Sequence, residues 1–137
     1  MDLLRHSIGL VRGSETAERF FSALADGHLE RLREACAPDA TTWNNLRDEV
    51  RSLEDSLPAY ARLKSRVPDL HFEDVRRRDL HDGFVEQHTL CGTAPSGERL
   101  RVIGCFVGAV EGGRITRLEE YVDSAQAATL SAVLRAP

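Results

Sequence analysis

Two residues in the second half of this 137-residue chain could move a proton in an apolar setting, Glu120 and His88. Strand alternation over 114–123 places Thr116, Leu118, Glu120 and Val122 on one face and Ile115, Arg117, Glu119 and Tyr121 on the other. A carboxyl group between Leu118 and Val122 loses hydration, which raises its pKa and suits it to act as a general base. The alternative is a solvated Glu120, or one paired with an arginine. His88 sits in a strongly strand-forming run, where Phe84, Glu86, His88 and Leu90 share one face and Val85, Gln87, Thr89 and Cys91 the other. Were the first set to face a cavity, Glu86 and His88 would form an acid–base pair. Were it to face outward, His88 would be structural or part of an interface, and alternation alone does not choose. Tyr60 adds a hydroxyl that could face a ligand or be satisfied by backbone.

Other chemistries find little support. The five histidines show no H-x-x-x-H or E-x-x-H spacing, so no metal site is expected. No glycine-rich loop joins a strand to a helix, so no nucleotide cofactor is expected either. Cys36, Cys91 and Cys105 are odd in number, lack C-x-x-C spacing and have apolar or small neighbours, which suits buried thiols in a reducing cytoplasm. The net charge of −4 gives no global attraction to nucleic acid or anionic lipid. Arg76-Arg77-Arg78, flanked by Asp74 and Asp79, reads as a solvated strand edge. No apolar run approaches the roughly 18 residues of a spanning helix. Residues 1–13 are broken by Asp2, Arg5, His6 and Arg12 and lack a secretory core. A cytoplasmic protein with one domain over 14–137 and an N-terminal arm over 1–13 is the expectation.

These side chains need elements to hold them. Ser14 followed by Glu15 and Glu18 reads as a capped helix start, with Ala17, Phe20, Phe21 and Leu24 on one face and Asp26-Gly27 as the stop. A shorter helix carrying Leu29, Leu32, Ala35 and Cys36 is predicted to end at Pro38-Asp39, followed by a short strand over 40–44. Helical spacing returns over 46–66, with Leu46, Val50, Leu53 and Leu57 on one side; Pro58 is expected to restart a second segment bearing Tyr60 and Leu63. Four strands follow over 70–81, 84–93, 99–110 and 114–123, the first two joined by an Asp82-Gly83 turn. Residues 125–134 read as a closing helix, with Asp123 as its cap. Helices grouped before a meander imply an α+β fold in which a curved antiparallel sheet wraps over helices, leaving a cone that can hold a small ligand.

This order resembles the nuclear transport factor 2-like superfamily, in particular its SnoaL-like and ketosteroid-isomerase-like members. The resemblance is carried by Arg19-Phe20-Phe21-Ser22-Ala23-Leu24-Ala25-Asp26-Gly27, by Ala37-Pro38-Asp39-Ala40-Thr41, and by Gly112-Gly113-Arg114-Ile115 leading to Glu120-Tyr121-Val122-Asp123. It implies a cone-shaped α+β barrel, a small hydrophobic ligand, acid–base chemistry without a cofactor, and a homodimer paired through outer sheet faces. Steroid isomerases of this fold would need acids or phenols where Asn44, Phe20 and Gly104 stand, which disfavours that activity. Against limonene-epoxide-hydrolase-like members, Glu120 and Asn44 match, while Gln87 and Thr89 replace an arginine and an acid and Thr42 replaces a tyrosine. SnoaL-like cyclases need one positioned carboxylate or histidine, which Glu120 supplies. The resemblance sends Gln87 and Thr89 inward with Gly104 and Leu118 and leaves His88 outside. It places Trp43 and Asn44 at the cone mouth. A ligand-binding or interaction module without catalysis is the alternative function.

Overall fold

A computed structural model describes residues 12–135. The element order is α1 (Gly13–Asp26), α2 (Leu29–Glu34), β1 (Cys36–Asn44), β2 (Arg51–Ser52), α3 (Leu53–Arg66), β3 (His71–Leu80), β4 (Gly83–Thr93), β5 (Arg99–Glu111), β6 (Arg114–Val122) and α4 (Ser124–Arg135). The strands form one six-stranded sheet in the order β2-β1-β6-β5-β4-β3. All pairings are antiparallel except β1 with β6, so the sheet is mixed and curved rather than wholly antiparallel. The α+β cone expected from the element order is the fold observed. Most of the expected arm lies outside the described residues; Arg12 and Gly13 belong to the start of α1.

The helix α1 lies in the concave face of the sheet because its apolar stripe, Ala17, Phe20, Phe21 and Leu24, is buried there against β3, β4 and β5. Gly27, at φ 71°, closes it in the left-handed conformation that a glycine adopts without strain. Ser14 does not cap its start; its backbone N–H instead donates to Asp79 Oδ1 of β3 at 2.8 Å. Three glycines let the helix approach this closely. A Cβ on Gly13 would lie 2.0 Å from the Gly83 carbonyl oxygen, and one on Gly83 would lie 1.8 Å from that of Gly108. The ring of Phe84 covers Gly108 in turn.

Several local expectations change. The segment expected to extend α2 to Pro38 is strand from Cys36, because Ala35 O and Cys36 are captured by Ile115 of β6. Pro38, which cannot donate to a ladder, sits where the β1–β6 register shifts. Residues 45–50 are a loop, not helix, and Leu46 and Val50 are exposed. The Asn44 side chain diverts the backbone: its Oδ1 accepts from the N–H groups of Leu46 and Arg47 at 3.0 and 2.9 Å, and Asp48 follows at φ 51°. The helix α3 is continuous through Pro58, with Ser52 Oγ accepting from the Asp55 N–H at its start. Pro58 leaves the Glu54 carbonyl without its donor, and both residues are exposed, so water can take that place. The β3–β4 turn is His81-Asp82, closed by the Leu80–Gly83 pair, one residue earlier than expected. Asp123 caps α4 as expected, its Oδ2 accepting from Gln126 N–H at 3.0 Å.

Candidate active site

A cavity of about 390 Å³ opens between the concave sheet face and the helices α1, α3 and α4. Its walls are apolar: Phe20 and Leu24 of α1, Phe72 of β3, Leu90 of β4 and Phe106 of β5 face it, with Leu130 of α4 closing the far side. The polar groups reach it through strand alternation. Across the sheet, His88 pairs with Gly104 and Gly104 with Val122; one rung away, Glu86 pairs with Phe106 and Phe106 with Glu120. His88 and Glu120 therefore project from strands two apart, about 10 Å between backbones, on the same side of a concave sheet.

His88 is buried and fixed. Its Nδ1 lies 2.5 Å from Glu86 Oε2. The other carboxylate oxygen of Glu86 accepts from Arg77 Nε, and Arg77 Nη1 donates onward to Glu18 at the surface. Glu86 is 0% exposed, so this pairing is what makes its charge tolerable. A carboxylate against Nδ1 fixes the proton there and leaves Nε2 as the working atom, a lone pair in the neutral ring and an N–H in the imidazolium. Among the described residues Nε2 has no hydrogen-bond partner, and His88 lines the cavity. The rings of Phe72, Phe21 and Phe106, with centroids 4.3, 5.1 and 5.1 Å from the imidazole, hold it on three sides.

Glu120 is held differently. Its carboxylate has no hydrogen-bond partner among the described residues and it lines the same cavity. Burial pushes its pKa up from the usual carboxylate value, and the Arg47 guanidinium opposes that rise. Tyr60 of α3 also faces the cavity; burial, reinforced by the Glu120 charge, raises its hydroxyl pKa, so it is a donor at neutral pH. Glu120 and Tyr60 also border a smaller, more polar vestibule of about 130 Å³, together with Trp43, Asn44, Arg47 and Leu118.

The structure thus gathers His88, Glu120, Tyr60, Asn44 and Gly104 around the main cavity, and Trp43 and Leu118 beside the vestibule. It corrects the facing of β4. Gln87 and Thr89 lie on the opposite face from His88, opposite Cys105 and Ile103 of β5, and neither lines the cavity. The reason is a one-residue step, which exchanges the faces of a strand completely. Asn44 offers only its Nδ2, since Oδ1 accepts from the loop.

The sequence reading missed Arg77, taken as a solvated edge. The Leu80–Gly83 closing pair carries the signal, since three residues back on each side lie Arg77 and Glu86. A turn placed one residue later sets Asp79 opposite Glu86 and hides it. Asp74, at φ 53° in the β3 bulge, completes the picture by turning both Phe72 and Arg77 to the concave side. Histidine spacing also missed a cross-strand group, His71, Glu73 and Cys91, whose donor atoms lie within 4.8 Å of one another. His71 is already bonded on both nitrogens, to Asp69 O at 2.8 Å and Glu73 Oε2 at 2.7 Å. With Arg99 and Arg101 acting on Cys91, the group is accounted for as a hydrogen-bonded ion pair.

Comparison with known proteins follows this geometry. The family model described as the SnoaL-like domain matches residues 17–118. No curated protein matches the chain. Among solved structures, IdmH of Streptomyces antibioticus, a polyketide-cyclase candidate, is 21% identical with a TM-score of 0.75, covering 89% of this chain and 99% of its own. AclR of Streptomyces galilaeus, a hydroxylase candidate, is 15% identical with a TM-score of 0.74, covering 90% and 85%. A Catenulispora acidiphila protein with a ketosteroid-isomerase-like fold, bound to trimethylamine, is 15% identical with a TM-score of 0.72, covering 90% and 98%. At these identities the likeness establishes the fold.

Proposed function

The chain belongs to the SnoaL-like domain family, and we propose that it is a cofactor-free acid–base enzyme acting next to a carbonyl of a small hydrophobic, oxygenated metabolite. The observation that carries this reading is that Glu120, without a hydrogen-bond partner among the described residues, and His88, whose Nδ1 is taken by Glu86, line one apolar cavity. Glu120 takes a proton from the carbon beside the carbonyl. His88, as the imidazolium backed by Glu86, gives its Nε2 proton to the developing enolate oxygen, and Tyr60 donates a further hydrogen bond. The enol so formed can be reprotonated at another carbon, which is isomerisation, or can attack a second carbonyl, which is aldol cyclisation. Hydration uses the same two groups on water and an activated alkene. Asn44 Nδ2 orients the substrate at the mouth. The fold-level likeness to the polyketide-cyclase candidate supports beginning with polyketide-like aromatic ketones.

The test is α-proton exchange of neutral bicyclic ketones, 1- and 2-tetralone, in D2O, followed by NMR. The expected result is accelerated loss of the α-proton signal, reduced about 10²- to 10⁴-fold in Glu120→Gln, the range of a single general base. A ketone that binds without exchanging would instead make this a ligand-binding protein. We also propose a homodimer through the convex sheet face, where Ile103 and Tyr121 are exposed. Sedimentation at micromolar concentration should give twice the 15.2 kDa chain mass, and a monomer would refute it.

A further inference from the structure

The two compartments differ in chemistry. The main cavity is walled by phenylalanine and leucine, whereas the vestibule is lined by Thr42, Ser56, Arg51 and the Tyr60 hydroxyl. One cation borders both, Arg47. Among the described residues its side chain has no ion pair and no hydrogen bond, and the two acids that follow it in the chain are held elsewhere. Asp48 accepts from Trp43 Nε1 at 2.9 Å, and Glu49 pairs with Arg51 at 3.3 Å. Glu120 feels the Arg47 charge without lying within ion-pair distance of it.

The loop that carries Arg47 is fastened. Besides the two bonds to Asn44 Oδ1, Asp48 N–H donates to Asn44 O at 3.0 Å, and Asn45 N–H donates to Glu120 O at 3.1 Å. The Asn45 side chain clasps Val122, donating to its carbonyl at 3.2 Å and accepting from its N–H at 3.0 Å. The backbone under Arg47 is thus tied to β6, the strand that carries Glu120, and the guanidinium is presented by a preorganised support.

Resting on the cavity as a substrate site, we propose that Arg47 is an anion-recognition residue and that the ligand is an apolar ring system bearing a carboxylate. The rings fill the main cavity, and the carboxylate docks on the guanidinium fork at the vestibule. A monoanion fits better than a phosphate, because Glu49, Asp55 and Glu120 border the same small space and oppose further negative charge. The chain carries a net charge of −4, so a preference for an anion has to come from this local cation and not from the protein's overall field.

Calorimetric titration with 2-naphthoate, its neutral counterpart 2-naphthamide and 2-naphthyl phosphate tests this at about pH 7.5. The wild-type chain should prefer the carboxylate over the amide by about tenfold or more, the size of a charge-assisted hydrogen-bond pair. Arg47→Gln should abolish that preference while leaving amide affinity within about twofold, which also reports that the cavity is still folded. Arg47→Lys should restore part of it, since a point charge cannot form the fork. Equal affinity for acid and amide, a preference that survives Arg47→Gln, tighter binding of the phosphate, or no carboxylate binding up to millimolar concentration would each overturn the assignment. Binding needs no turnover, and the exchange test uses neutral ketones. Failure here therefore leaves the acid–base reading standing, and failure there leaves this one standing.

Discussion

Glu86 and Glu120 are both carboxylates on the concave face of one sheet, one rung end to end across Phe106, and they are treated in opposite ways. Glu86 is fully buried with both oxygens engaged, by Arg77 and by His88. Glu120 faces the cavity with neither oxygen bonded among the described residues. A paired buried charge is part of the framework, because removing either partner leaves the other charge stranded. An unpaired carboxylate in an apolar site raises its own free energy when ionised, which is the condition a general base exploits. The two residues therefore differ in what holds them: Glu86 sets the tautomer and direction of His88, and Glu120 is left unpaired among the described residues, as the proposed base requires.

The largest expected effect of breaking this contrast is at Glu86. Glu86→Ala should destabilise the chain by about 3–5 kcal/mol, since it leaves the Arg77 guanidinium, 21% exposed, with only the exposed Glu18 and removes the partner of a buried imidazole. Denaturant unfolding measures this, and a loss under about 1 kcal/mol would mean that the pair contributes no more than a surface one. Glu86→Gln keeps the shape and one hydrogen bond, so its loss should be smaller, while the Nδ1-protonated form of His88 should be depleted in 15N NMR.

Glu120 should respond in the opposite direction. Its folded pKa is raised, so over the window between the ordinary carboxylate value and that raised value the folded chain keeps a proton that the unfolded chain has released. The stability this group contributes is complete below its unfolded pKa and is lost as pH rises through the folded one. Glu120→Gln removes that loss. The variant should melt higher than wild type near pH 7.5, and the gain should vanish near pH 4, while exchange activity falls. Gain of stability with loss of turnover is the signature of a residue held for function; a variant less stable at both pH values would show that Glu120 makes a structural contact after all. Arg47 lowers the Glu120 pKa, so Arg47→Gln should move the acidic limb of the exchange profile upward.

The contrast also explains what could be read from the chain. The cone was legible because Phe20, Phe21 and Leu24 recur at helical spacing up to the stop at Gly27, and the later strands are bounded by Gly97 and Gly112-Gly113, which set their own turns. Glu120 was legible because Leu118 and Val122 flank it on its face. His88 was not, because alternation does not say which face of β4 turns inward, and the resemblance, one residue out of step on that strand, sent Gln87 and Thr89 inward instead. Residues 46–50 read as helix because Leu46 and Val50 have helical spacing, but the Asn44 side chain competes for the same backbone donors and wins locally. Arg77 was illegible for a third reason: a charge run looks solvated unless its cross-strand partner is known.

The smallest effect lies at the outer end of the relay. Glu18 accepts from Arg77 but is 59% exposed, and its carboxyl is held below the usual value first by Ser22 and then by Arg77. An exposed pair contributes about 0–1 kcal/mol, so Glu18→Gln should change stability within that range. It should become neutral as pH falls through the lowered Glu18 pKa, where the wild-type carboxylate is itself protonated. What Glu18 could add is orientation, because it holds the far nitrogen of the guanidinium that holds Glu86. If the relay transmits position, Glu18→Gln lowers exchange activity a few-fold with the pH profile unshifted. If Arg77 is fixed by Glu86 alone, activity is unchanged, and the framework that sets His88 ends at Arg77 rather than at the surface.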